Sequence, residues 1–139
     1  MVRGSCLCGG VRFEADAIEI ITNCHCSMCR KAHGAPYGSY ANAYKTGFRY
    51  LSGEDLIQGY RSSPDNVRRF CRVCGSNLPH GSEASETWVI PTGLLDDDPG
   101  VRPCIHIFVG SKAPWHEIDD DLPAFEAHIP GFGPDEEGG

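Results

Sequence analysis

The stretch NCHCSMCRKAHG, residues 23–34, holds three cysteines, Cys24, Cys26 and Cys29, spaced C-x-C-x-x-C. Tetrahedral zinc takes four protein ligands when it is structural, and three plus an open position when it does chemistry. This stretch supplies three. His25 lies between two of the cysteines, but adjacent side chains on an extended segment point to opposite sides. It therefore reads as a supporting donor or a pocket wall rather than a fourth ligand. Three distant residues, Cys104, His106 and His80, are the candidates for closing the site; an empty or disulfide-forming triad is a further alternative.

The remaining cysteines sort themselves around this triad. The chain has eight. Cys6 and Cys8 form C-x-C ahead of Gly9 and Gly10; Cys71 and Cys74 form C-x-x-C ahead of Gly75. A two-residue spacer lets both sulfurs converge on one ion, and a glycine after it admits the positive φ that such a knuckle needs. The two pairs together make a closed four-cysteine site tying the N-terminal strand to the middle of the chain. Structural zinc contributes about 10–16 kcal/mol in small finger peptides, and that binding energy is folding energy. Buried apolar cysteines, a redox C-x-x-C without its βαβ context, and an iron–sulfur site are the other readings. Cys104 stands alone and reads as a small buried apolar residue.

Three thiolates around a divalent zinc leave a net charge of about -1. That weakens the ion as a water activator but suits it to a fourth, incoming thiol. Zinc holds such a thiol as thiolate at neutral pH, where a free thiol of pKa about 8.5 is mostly protonated. A thiolate held in this way is placed to attack a small aldehyde and give a hemithioacetal.

Composition sets the frame. A chain of 139 residues implies one domain, expected over residues 1–130, with the Gly/Pro/acid end at 131–139 frayed. The formal net charge is -7, with acidic clusters at Asp96–Asp98, Asp119–Asp121 and Asp135–Glu137 that read as solvated. An acidic chain with no Lys/Arg block argues against nucleic acid as a partner, because phosphate neutralisation dominates that affinity. The apolar stretch Ala17–Ile21 is interrupted by Glu19 and is too short to span a bilayer, and the first ten residues carry no export pattern. The expected setting is the cytoplasm, where thiols stay reduced and a disulfide framework is not the explanation for the cysteines.

Scattered Gly and Pro suit short strands and turns. VRFEA alternates, with Val11, Phe13 and Ala15 on one face. Ser27–His33 forms one short helix stopped by Gly34 and Pro36. YGSYANAY, FRYLSG, LIQGYRS, VRRFC, TWVIPTG and CIHIFV are strands, the last with Ile105, Ile107 and Val109 toward the core. DDLPAFEAH is expected to form a second short helix. Trp115 reads as core, or as a pocket wall, and Tyr40 and Tyr44 read as strand residues. His116 and His128 give no signal distinct from surface.

With these motifs placed, the chain resembles the glutathione-dependent formaldehyde-activating enzyme family, which includes the centromere protein V relatives. The resemblance runs through GSCLCGGVRFE, NCHCSMCRKAHGAPYGSY, RRFCRVCGSNL and HIFVGSKAPWHEIDDDLPAFE. It implies a mainly β, β-tent zinc fold with a structural zinc at Cys6, Cys8, Cys71 and Cys74. It also implies a second zinc at Cys24, Cys26 and Cys29, near where glutathione binds. The implied reaction is that of a carbon–sulfur lyase making or cleaving S-(hydroxymethyl)glutathione. On this reading Arg30, Lys31 and His33 hold glutathione carboxylates, where an arginine fork is well matched; a solvated helix face is the plainer account of them. His25 is the candidate acid or base. The alternative from another class is a zinc-stapled binding module without chemistry.

Overall fold

The computed structural model describes residues 1–129; residues 130–139, with the acidic end expected to fray, lie outside the described residues. The elements are β1 (Val2–Ser5), β2 (Arg12–Ala15), β3 (Ile20–Cys24), α1 (Ser27–His33), β4 (Gly38–Tyr44), β5 (Phe48–Ser52), β6 (Ile57–Ser63), β7 (Asn66–Cys71), β8 (Asn77–Gly81), β9 (Thr87–Pro91) and β10 (Pro103–Ile107). One sheet has the order β1-β2-β5 and the other β10-β3-β4-β9-β8-β7-β6. Within the second, β8 and β9 meet through the single pair His80↔Val89. The sheet therefore folds there into two walls, β10-β3-β4-β9 and β8-β7-β6.

The three-stranded sheet closes over both walls because its alternation is strict. Val11, Phe13 and Ala15 are 0%, 0% and 1% exposed, all on one face as expected. Phe13 and Ala15 join Val2, Ile21, Ala41 and Ile90 in a cluster against the first wall. Val11 joins Cys6, Cys71 and Leu78 against the second. The mainly β, tent-like fold expected from the sequence is thus the observed one. In β4, Tyr40, Ala41 and Ala43 are all buried, since a central strand between two layers buries both faces.

Gly53 fixes how the small sheet closes. Its φ is 82°, and a Cβ there would lie 2.2 Å from the Gly10 carbonyl oxygen. Left-handed backbone at a non-glycine residue costs about 1–3 kcal/mol, and the clash adds to it. Gly53→Ala is expected to lower the urea midpoint by that amount or more with an unchanged m-value; a midpoint within error of the parent would contradict the close approach.

Two expectations are corrected. DDLPAFEAH forms no helix. It runs extended along the free edge of β10, where the His106 N–H donates to the Pro123 oxygen at 2.9 Å, Phe125 N–H to the His106 oxygen at 2.9 Å, and Phe108 N–H to the Ala127 oxygen at 3.1 Å. Proline pushes its predecessor out of the helical region and brings no N–H of its own, while the edge of β10 offers groups that need partners. Trp115 is not core: it is 69% exposed, in the turn at residues 114–115. In CIHIFV the strand stops at Ile107. Phe108 takes φ 56°, and Val109 falls in a single turn of 3-10 helix, so only Ile107 of the three expected inward residues is fully buried.

Candidate metal centres

The first cluster joins the two knuckles. The sulfurs of Cys6, Cys8, Cys71 and Cys74 all lie within 4.8 Å of one another. Cys6 and Cys8 are 3.5 Å apart and Cys8 and Cys71 3.9 Å. Zinc–sulfur bonds of about 2.3 Å in a tetrahedron set sulfur–sulfur edges of about 3.8 Å, so the donor set fits zinc. The local backbone explains the convergence. Gly75 has φ 78° and donates to the Cys71 carbonyl at 2.8 Å; the Val11 N–H points at the Cys6 sulfur at 3.3 Å. The Ser76 hydroxyl and N–H pull the Cys74 thiol down to about 5, ready to ionise for a cation.

The second cluster is the triad. Cys24 ends β3, Cys26 caps α1 with its sulfur accepting the Cys29 N–H at 3.2 Å, and Cys29 lies one turn in. Gly34, with φ 59°, ends the helix as a left-handed cap. The three sulfurs lie within 4.8 Å of one another, all on residues 0% exposed. Among the described residues the group has three members: none of Cys104, His106 and His80 joins it. The Cys104 sulfur faces the Ile21 carbonyl at 3.5 Å, His106 is engaged elsewhere, and His80 packs edge-on to Tyr40.

Cys29 is backed by a polar chain. The Tyr40 hydroxyl donates to its sulfur at 3.1 Å, and Arg68 Nη2 reaches it at 3.5 Å. Arg68 Nη1 also donates to the Tyr40 oxygen at 3.3 Å, and His33 Nε2 lies 2.9 Å from that oxygen. Asn77 Nδ2 approaches His33 Nδ1 at 3.2 Å, so His33 accepts there and donates to Tyr40. The neighbouring Cys24 and Cys26 thiols, then Tyr40 and Arg68, bring Cys29 down to about 3, while Cys26, Cys29 and burial push Cys24 up. One buried guanidinium supports one buried thiolate. Three thiolates in this space need a further divalent cation, and with zinc the residual negative charge is met by Arg68. The residues fit the metal.

His25, between Cys24 and Cys26 in the chain, is fully buried. Its Nε2 lies 2.8 Å from His106 Nδ1, and His106 Nε2 lies 3.0 Å from both carboxylate oxygens of Asp120. Its Nδ1 has no hydrogen-bond partner among the described residues. The rings of Tyr37 and His116 stand 5.0 and 6.0 Å from it. Burial, then His106, His116 and Lys112, lower His25 to about 4, so it is neutral at physiological pH. Arg30 is half-buried with Nε donating to the Ser111 carbonyl at 3.2 Å, and Lys31 is exposed.

Sequence reasoning missed Arg68, Asn77 and Asp120 as site residues and read Tyr40 as a strand residue first. Nothing in VRRFC separates Arg68 from Arg69; in β7 Arg68 falls on the buried face with Asn66, and Arg69 on the other. Asp120 looked like one member of a solvated acidic cluster.

A mainly β scaffold with a four-thiol clamp and a separate buried three-thiol cluster defines a domain built around two cysteine sites spaced for metal. The family model for the glutathione-dependent formaldehyde-activating enzyme matches residues 1–111, which contain both clusters, and the chain belongs to that family. A Halomonas elongata protein provisionally named a glutathione-dependent formaldehyde-activating enzyme is 29% identical over 130 residues, covering 86% of this chain and 82% of that protein. An uncharacterized lyase of Schizosaccharomyces pombe is 30% identical over 76 residues, 54% of this chain and 53% of that protein. A crystal structure of a Rhodobacter sphaeroides protein superposes with a TM-score of 0.59 at 25% identity, covering 73% of this chain and 91% of that one. Among the described residues no helix is long and apolar enough to cross a membrane.

Proposed function

We propose that the chain is a cytoplasmic, zinc-dependent carbon–sulfur lyase acting on a glutathione–aldehyde adduct such as S-(hydroxymethyl)glutathione. Family membership supports the reaction class. The single observation that carries the reading is a cluster of three thiols, not four, backed by a buried arginine. When bound at Cys24, Cys26 and Cys29, zinc supplies Lewis acidity and keeps a fourth, incoming thiol ionised. Cys6, Cys8, Cys71 and Cys74 hold the structural ion. In the cleavage direction the adduct hydroxyl gives its proton to His25 Nδ1, the carbon–oxygen double bond forms, and the carbon–sulfur pair leaves with sulfur as thiolate. Arg30 and Lys31 take the glutathione carboxylates from the outer face of α1. His33, whose ring nitrogens already meet Tyr40 and Asn77, supports that end by holding Tyr40 on Cys29. Met28, Phe108 and Ile129, partly buried and packed on the triad, form the thin apolar cover that an entering thiol displaces.

The burial of all three sulfurs favours a second reading, a zinc-stapled binding module whose triad is structural. Cys29→Ser separates the two. The lyase reading expects a folded protein, with zinc by native mass spectrometry falling from two ions per chain to one. Exchange between formaldehyde, glutathione and adduct, followed by NMR, should drop at least ~10²-fold toward the uncatalysed rate. Unchanged exchange, or a melting loss as large as that of Cys71→Ser, would favour the module.

A further inference from the structure

We infer that Asp120, acting through His106, is a positioning residue that fixes His25 as the Nε2–H tautomer and presents its bare Nδ1 as the acceptor for a substrate hydroxyl. The role assigned to that acceptor rests on the lyase reading above; the tautomer assignment does not.

The geometry decides the proton positions. An ionised carboxylate only accepts, and Asp120 is held below the ordinary carboxylate range by His106. With both rings neutral, His106 therefore carries its proton on Nε2, 3.0 Å from Asp120, and its Nδ1 is bare. His25 Nε2, 2.8 Å from that bare nitrogen, must be the donor. The second nitrogen of a neutral imidazole is then an acceptor, and in His25 this Nδ1 is buried and without a partner among the described residues. A buried acceptor without a donor is costly unless something supplies one. The half-buried Tyr37 and His116 flank this ring and form the side from which a ligand arrives.

The wiring is built into the fold. The backbone N–H of His25, just past the end of β3, bonds the Ile107 carbonyl at 2.9 Å, which ties it to the strand that bears His106. Asp120 arrives on the extended segment that covers the edge of β10, held by the His106↔Ala124 bridge. That segment lies past residue 111, where the family match ends. Asp120 is also fixed in orientation, because its Oδ1 accepts the Leu122 N–H at 3.1 Å.

Both carboxylate oxygens lie 3.0 Å from His106 Nε2, so an asparagine oxygen held on the Leu122 N–H would still accept there; the test therefore removes the acceptor altogether with Asp120→Ala. Without an acceptor at Nε2, the His106 proton is no longer fixed, and His25 exchanges between its Nε2–H and Nδ1–H forms. The measurement is long-range 1H–15N correlation of the histidine rings in the zinc-loaded full chain at pH 8. The expected result is Nε2–H at both His25 and His106 in the parent, and a mixture of tautomers at both in Asp120→Ala, with zinc content unchanged. Nδ1–H at His25 in the parent, or an unchanged single Nε2–H form in the variant, overturns the inference. Turnover of Asp120→Ala is expected to fall with the fraction of His25 that carries Nδ1–H. A mixture of tautomers with unchanged turnover would instead remove His25 from the reaction while leaving the tautomer chain standing.

Discussion

Cys71→Ser is expected to lower the melting temperature by more than about 15 °C and to release the ion bound by the four-cysteine clamp. Cys71 is 0% exposed, and its sulfur and that of Cys8 sit 3.9 Å apart across 63 residues of chain. The core beside it is small: Cys6, Val11, Cys71 and Leu78 are its buried members, two of them cysteines of the clamp. Removing one thiolate from a closed site forfeits much of a binding energy of about 10–16 kcal/mol, against a net stability for a domain of about 5–15 kcal/mol. Even a loss of about 4 kcal/mol corresponds to roughly 8–16 °C at this chain length, or more. The control is Cys104→Ser, whose sulfur makes one weak contact to the Ile21 carbonyl and which should cost no more than about 1 kcal/mol. Calorimetry with native mass spectrometry reads both quantities. A Cys71→Ser protein that melts with the parent and keeps two ions would remove the clamp.

Arg68→Met should do the converse, sparing the clamp and weakening the triad. The guanidinium is the buried positive charge against the Cys29 sulfur, the counter-charge that three thiolates holding a divalent ion would need, and it also holds the Tyr40 hydroxyl. Breaking a buried ion pair from one side costs about 3–5 kcal/mol, and losing a partner behind a metal ligand usually costs about 10–100-fold in affinity. Competition with a zinc indicator should show one tight ion per chain as in the parent and a second weakened by that factor. Arg68→Lys should recover only part, because one ammonium cannot span the tyrosine oxygen and the cysteine sulfur as the planar fork does. Equal affinity at both sites in Arg68→Met would mean that the triad charge is balanced elsewhere.

The cysteines were the legible part of this chain. Spacing alone paired Cys6 and Cys8 with Cys71 and Cys74, and the structure brings those four sulfurs together and sets Cys24, Cys26 and Cys29 apart as a second group. Helix α1 was readable to the residue, because Gly34 and Pro36 end it and Cys26 begins it. What surrounds the triad was not readable. Arg68 lies on the inner face of β7 because of how that strand packs between its neighbours, which composition does not reveal. Asp120 reaches His106 because a segment with some helical character is drawn out along a free strand edge. Both are long-range events, and a local pattern carries no information about which distant edge is unfilled. The exposure of Trp115 has the same origin, since its surroundings are set by a turn that tertiary contacts place at the surface.

Accessibility runs opposite to what the two clusters are for. In the clamp, Cys8 is exposed and Cys74 half-buried, whereas every triad cysteine is sealed. A chelator in solution would therefore meet an ion held by the clamp before one held by the triad. Metal stripping will act first as a denaturant, and activity lost after it will report unfolding unless near-UV dichroism is unchanged. For the same reason, reconstitution proceeds from the clamp inward: the accessible cluster must refill and restore the walls before the sealed one has a shape in which to receive its ion.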